Sequence, residues 1–234
     1  DFSIFAINDG VTSSSSDITV NSDGTHTLTI QNAYRCYHQW VENFVYLGNG
    51  SPIAFYDSNK DGKYISRINF VKNSKLQVVS KYAFYNNSYL EEIDLSNCTN
   101  LTRIEDGAFE NCVNLKKVIL PDSVVSIGKN AFRGCTKLES SNNTQILNLE
   151  GVTYIGPNAF YGCSGTEFKT INLPSTLVTL GTQAFYNCEN LEAITIPESV
   201  TQVGDATFYG CLHLTQARIY NKTLSAEEFS QCTS

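Results

Sequence analysis

The sequence predicts an α/β repeat solenoid, and three regularities predict it. Phe84, Phe109, Phe132, Phe160, Phe185, Phe208 and Phe229 recur at intervals of 25, 23, 28, 25, 23 and 21 residues. That period belongs to stacks built from one short supersecondary unit per turn. Six of the eight cysteines (Cys112, Cys135, Cys163, Cys188, Cys211 and Cys232) stand three residues after such a phenylalanine. An alternating apolar segment follows, as in Leu115–Val118–Leu120 and Leu191–Ile194–Ile196, and Pro121, Pro174 and Pro197 end it in the same slot. The expected architecture is a stack of parallel strands joined by short helical turns, with an N-terminal cap made of a hairpin and a helix.

Residues 1–63 do not carry the repeat and form the expected cap, since a solenoid's first turn otherwise exposes an apolar end and a strand edge. Thr12–Asp17 reads as a serine-rich linker. Ile18 and Val20 alternate before Asn21-Ser22-Asp23-Gly24, and Leu28 and Ile30 alternate after it, which is a hairpin signal. In residues 32–47, Ala33, Cys36/Tyr37, Trp40/Val41 and Phe44/Val45 fall at helical spacing, so a helix is expected over the first turn of the stack.

From residue 64 to residue 224 the chain counts off repeats. An alanine precedes most of the phenylalanines and lets neighbouring turns approach closely, while the ring supplies apolar area that one turn cannot bury alone. Phe and Cys at i and i+3 suit one helical turn with both side chains inward. A glycine closes several units, at Gly128, Gly156, Gly181 and Gly204, where a reversal at positive φ is expected. Ser80 and Glu105 hold that slot in the first two units, so positive φ is not obligatory there. The segment 139–145 accounts for most of the 28-residue interval and maps to a surface loop. Residues 225–234 retain Phe229 and Cys232 but carry Glu228 where alanine belongs, as expected of a C-terminal capping repeat.

The phrases IGKNAFRGC (127–135), IGPNAFYGC (155–163) and IPESVTQVGDATFYGC (196–211) resemble the BspA-like class of leucine-rich repeat, over about residues 64–234. The resemblance implies a curved or gently twisted stack of parallel strands on a protein displayed at a cell surface or secreted. It further implies adhesion, or binding of a host or matrix protein or glycan. The alternative is a structural spacer within a larger surface protein, with no ligand of its own.

Composition narrows the chemistry. Sixteen basic against 23 acidic residues give a net charge of −7, and the longest basic cluster is the pair Lys116–Lys117. Nucleic-acid binding needs a basic stripe with several phosphate contacts, so that class is excluded. No apolar run approaches the length of a membrane-spanning helix, and no membrane insertion within the chain is expected. The cysteines of the repeat point in parallel rather than at one another and are expected to be reduced and buried. His26, His38 and His213 show no metal-gathering spacing, and no nucleophile elbow or phosphate-cradling glycine loop occurs, so no catalytic residue and no enzyme activity is expected.

Two candidate sites remain. Asp57, Asn59 and Asp61, followed by Gly62, match the first half of a calcium loop, but Ile68 falls where the bidentate acid belongs. A weak Ca2+ site and an Asx-rich turn both fit that half-motif. The second candidate is the outward face of the repeat strands. One column there holds Asn69, Asp94, Ile119, Asn148, Asn172, Thr195 and Arg218; the other holds Arg67, Glu92, Lys117, Ile146, Thr170, Ala193 and Gln216. Mixed and mostly uncharged, these columns suit an extracellular protein or glycan held through hydrogen bonds.

Overall fold

The computed structural model describes residues 65–72, 74–140 and 147–220, and before them the short segments 7–8, 11–12, 18–22, 25–30, 35–38, 44–47 and 51–54. The repeats wind into a solenoid whose turns are joined by parallel ladders. The longer strands Ile65–Phe70, Glu92–Asp94 and Lys117–Ile119 stack in one ladder, and Thr170–Asn172, Ala193–Ile196 and Gln216–Ile219 stack in a second. Residues 141–146, between the two, lie outside the described residues. A run of two-residue strands forms the other side of the coil: Val78–Val79, Arg103–Ile104, Ser126–Ile127, Tyr154–Ile155, Thr179–Leu180 and Gln202–Val203.

Among the described residues there is no helix of any kind, which corrects the helical turns read from the Phe–Cys spacing. The segment from Ser80 to Asn87 is instead a run of tight turns. Ala83, Tyr85 and Asn87 donate their amides three residues back, to the carbonyls of Ser80, Tyr82 and Phe84. The alternate amides of Tyr82, Phe84 and Asn86 donate across to Asp106, Ala108 and Glu110 of the next turn, at 3.0, 2.7 and 2.9 Å. The following repeats do the same as far as Phe185, through Phe109 to Ala131, Phe132 to Ala159, Phe160 to Ala184 and Phe185 to Thr207. An α-helix directs each amide four residues back along its own chain and has none left for a neighbour. The i, i+3 spacing of Phe and Cys therefore reports successive β-turns, which bring every third residue to the same side.

These turns also relocate the positive-φ residues. They sit third in the turn, where a type II geometry demands positive φ and favours Gly or Asn: Asn130 (58°) and Gly134 (72°) in one repeat, Asn158 (55°) and Gly162 (70°) in the next. Gly128, Gly156, Gly181 and Gly204 are not among them, against the expectation for that slot. Their constraint is close approach. A Cβ on Gly181 would lie 2.5 Å from the carbonyl carbon of Gly156 and the nitrogen of Pro157.

The interior is a set of columns, one residue type above itself. Phe84, Phe109, Phe132, Phe160, Phe185 and Phe208 stack with ring centroids 4.9, 5.1, 5.3, 5.1 and 5.7 Å apart and planes within 7° of parallel. All six are buried, as are the apolar columns led by Ile68, Phe70, Leu76 and Leu90. Prolines stop the longer strands as read from the sequence: lacking an amide, Pro121, Pro174 and Pro197 offer the ladder no donor, and each carbonyl accepts instead from the residue three positions on.

The N-terminal cap keeps its hairpin but not its helix. Ile18–Val20 and His26–Ile30 pair antiparallel with Ile18 opposite Leu28 and Val20 opposite His26, and His26–Ile30 then runs parallel to Ile65–Phe70. Where residues 32–47 suggested a helix, Arg35–His38 and Phe44–Leu47 are antiparallel strands, with Cys36 opposite Leu47. Ser51–Ala54 adds a third strand, and Arg35–His38 pairs parallel with Val78–Val79. The apolar residues of that stretch are aromatic and β-branched, which favours a pleated surface. The ladder that holds Ile65–Phe70 and the ladder of two-residue strands thus each begin on an antiparallel hairpin. The C-terminal unit expected at residues 225–234 lies outside the described residues.

Truncating one ring of the stack to alanine, Phe132→Ala or Phe160→Ala, removes a buried aromatic with neighbours on both sides. Each variant is expected to lose about 3–5 kcal/mol of unfolding free energy in chemical denaturation. Wild-type stability in either would refute the ladder.

Candidate functional site

The longer strands bring most of the sequence-predicted recognition residues together in register. Arg67, Glu92 and Lys117 are direct partners across one ladder, and so are Asn69, Asp94 and Ile119. In the second, Thr170, Ala193 and Gln216 align, as do Asn172, Thr195 and Arg218. All twelve are half-buried or exposed, because the pleat turns Ile68, Ile93 and Val118 inward between them. The two columns differ along the axis. At the N-terminal end Arg67 Nε lies 3.8 Å from Glu92 Oε2, and Arg67 Nη1 donates to Thr25 Oγ1 at 2.8 Å. Towards the C-terminus the positions become neutral until Arg218.

Asn148 is not placed in a strand. Its Nδ2 donates to Asp122 Oδ1 at 2.7 Å while its Oδ1 accepts from the Glu150 amide at 3.1 Å, so the side chain closes a local turn and ties it to the turn before. Leu147 still donates to the Val118 carbonyl at 2.7 Å, which holds Asn148 beside Ile119. Ile146 lies outside the described residues, and so do Asp57, Asn59 and Asp61 of the calcium half-motif. Among the described residues no group of three or more His, Cys, Asp or Glu side chains is arranged to hold a metal ion.

A second surface column escaped the sequence reading. The residue after each repeat phenylalanine lines the turn edge: Tyr85, Glu110, Arg133, Tyr161, Tyr186 and Tyr209, of which Glu110 is buried and the other five are half-buried or exposed. Tyr161 and Tyr186 stack at 4.8 Å and 7°, and Tyr186 and Tyr209 at 5.1 Å and 21°. The Arg133 guanidinium lies 5.1 Å from the Tyr161 ring centroid and 3.4 Å from Glu110 Oε1. The signal was visible as AFY, AFE, AFR, AFY, AFY and TFY. Attention to strand positions alone passed over it.

Cys98, Cys112, Cys135, Cys163, Cys188 and Cys211 are free and buried, as expected. Each thiol after Cys98 donates to the carbonyl of the preceding turn's phenylalanine: Cys112 to Phe84 (3.0 Å), Cys135 to Phe109 (3.1 Å), Cys163 to Phe132 (3.2 Å), Cys188 to Phe160 (3.2 Å) and Cys211 to Phe185 (3.1 Å). A weak donor on a small apolar side chain thereby meets the second lone pair of an enclosed carbonyl. Burial pushes the Cys98 thiol up to about 12 and holds Cys112, Cys135, Cys163 and Cys188 well above the usual thiol range. These thiols are structural and not nucleophilic.

The raised values fix a pH dependence. The unfolded chain ionises its thiols near pH ~8.5 while the folded chain keeps them protonated, so the native state binds more protons above that pH. Stability contributed by the column is complete below pH ~8.5 and declines as pH rises towards 12. Denaturation midpoints are expected to fall through that window. In the folded chain at pH 8, iodoacetamide is expected to leave the peptides bearing these six cysteines unmodified and to label them after denaturation. Labelling in the native state would contradict the assignment.

A family model described as a BspA type leucine rich repeat region matches the chain in six copies, over residues 54–164 and 139–234. Solved structures agree on the fold. A leucine-rich repeat protein from Bacteroides ovatus aligns with a TM-score of 0.58 and 24% identity, covering 89% of this chain and 53% of its own. The Treponema pallidum leucine rich repeat protein gives 0.54 and 20%, covering 88% and 81%. A leucine-rich repeat protein from Eubacterium ventriosum gives 0.51 and 23%, covering 93% and 43%. The chain therefore spans about half the length of the Bacteroides protein. No curated protein matches it. With the family model matched across most of its length, the chain belongs to the BspA-type leucine-rich repeat family and is a repeat module of the extracellular or cell-surface kind.

Proposed function

We propose that the chain is an extracellular adhesion module that recognises a host or matrix protein or a glycan through the outward face of its longer strands. The observation that carries this reading is the registered pair of columns, Arg67–Glu92–Lys117 with Asn69–Asp94–Ile119 and Thr170–Ala193–Gln216 with Asn172–Thr195–Arg218. Strand spacing fixes them at regular intervals on a rigid sheet, so a partner meets a surface whose conformational entropy is already lost. The side chains offer donors and acceptors of both charge signs. This favours a mixed polar partner over a polyanion, which needs a single-sign field.

A binding screen of the whole chain against extracellular matrix proteins and a glycan array, with and without Ca2+, tests the reading. A specific partner is expected, with affinity lost in an Asn172→Ala/Thr195→Ala variant whose thermal unfolding is unchanged. Calcium dependence would bring Asp57, Asn59 and Asp61 into the site. The absence of any partner in both conditions would overturn the adhesion reading in favour of a spacer.

A further inference from the structure

On the turn edge, Tyr161 and Tyr186 stand in the middle of the stack, with a described turn on either side of each. Arg133 covers one face of the Tyr161 ring and Tyr186 the other, while Tyr186 lies between Tyr161 and Tyr209. Both tyrosines are half-buried, and with their faces taken the area left to solvent is the phenol edge. Neither hydroxyl takes part in a hydrogen bond among the described residues. Beside this ridge runs the column that holds Asn111, Gly134, Gly162, Asn187 and Gly210 in successive turns. Its asparagines lie over the turn that follows. Asn111 Oδ1 is 2.6 Å from the place of a Cβ on Gly134, and the Asn187 amide covers Gly210 in the same way. Gly162 follows a glycine, and a Cβ built on it meets no atom within 4 Å among the described residues. The result is a groove with a wall of phenol edges, a floor of bare backbone at Gly162 and the Asn187 side chain at one end.

We infer that this groove binds an uncharged proline-rich segment in the polyproline II conformation. A sugar ring stacks on a free aromatic face, and Tyr161 and Tyr186 have none. An added β-strand needs free backbone donors. Here the amides of Tyr161, Gly162, Tyr186 and Asn187 are already bonded, to the carbonyls of Asn158, Tyr186, Gln183 and Tyr209. Polyproline II makes no internal hydrogen bonds, so its carbonyls are free to accept from the two phenols. Its proline rings are apolar and pack on phenol edges and bare backbone, and its order exists before binding. The periods agree as well. Two rungs span roughly 10 Å, and one turn of polyproline II, three residues long, spans about 9 Å. One face of the helix therefore presents a residue to Tyr161 and the third residue after it to Tyr209, with the carbonyls between them at Tyr186. An extended strand repeats its side chains on one face at about 6.6 Å and meets neither one rung nor two. Glu110 balances the charge of Arg133, and the column from Tyr161 to Tyr209 is neutral on a chain of net charge −7, which favours an uncharged partner over a basic or an acidic one.

The experiment is calorimetric titration of the whole chain with decaproline and with a glycine–serine peptide of equal length. Saturable binding of decaproline alone is expected. Gly162→Asn fills the floor with a side chain that the same column already accepts at positive φ, at Asn111 (60°) and Asn187 (54°). It is expected to weaken binding about tenfold or more with thermal unfolding intact. Tyr161→Phe/Tyr186→Phe keeps the ring stack and removes both hydroxyl donors, and is expected to weaken binding about threefold or more. The Asn172→Ala/Thr195→Ala variant is expected to bind decaproline as the wild type does, which separates this groove from the strand face. No saturable binding of decaproline, or equal binding of the glycine–serine peptide, would overturn the proposal. So would full affinity in the phenylalanine double variant, or loss of decaproline binding in the strand-face variant.

Discussion

One spacing governs this molecule: the distance between hydrogen-bonded neighbours in its parallel ladders. The longer strands, the two-residue strands and the turn segments all hand backbone hydrogen bonds from one turn to the next. Each residue is thereby held about 5 Å above its counterpart, and a side chain packs chiefly on copies of itself. Flat rings suit that separation, and the phenylalanine stack fills it. Thiols suit it because their sulfur reaches the carbonyl one turn back. The glycines at 128, 156, 181 and 204 suit it because adjacent backbones leave no room for a Cβ.

The turn ladder explains why the repeat phrase is so strict. Alternate amides point along the axis only if the intervening residues adopt type II turns, and these require positive φ at fixed places. Asn and Gly therefore bracket Ala-Phe in NAFRG and NAFYG. Where Tyr82, Gln183 or Ala206 takes the first of those places at φ near 50–57°, the neighbouring ladders hold a conformation that the residue alone would avoid.

Much of this was legible in the sequence because a period constrains every turn at once. The phenylalanine interval established the solenoid, and alternation around Val118 and Ile194 gave the strand register and the outward columns. The state of the thiols followed from their place in the repeat. The turn conformation was not legible, since a three-residue spacing between inward side chains is shared by a helix and by consecutive β-turns. Residues 32–47 misled for a related reason: in so short a stretch the apolar positions fit both periods, and β-branched and aromatic content was the better guide. Gly128 was ascribed to φ when the reason was a neighbouring backbone, which a single repeat cannot reveal. The tyrosine edge was overlooked because an exposed residue beside a core position has no period-two pattern to mark it.

The central claim is that like-on-like stacking couples each turn to its neighbours and to no others. A double-mutant cycle on the phenylalanine column measures that coupling directly. Phe132 and Phe160, with centroids 5.3 Å apart, are expected to show an interaction free energy of about 0.5–1.5 kcal/mol. Phe84 and Phe208, separated by four intervening rings, are expected to be additive within about 0.5 kcal/mol. Additive losses at the adjacent pair, or equal coupling at the distant one, would contradict the account.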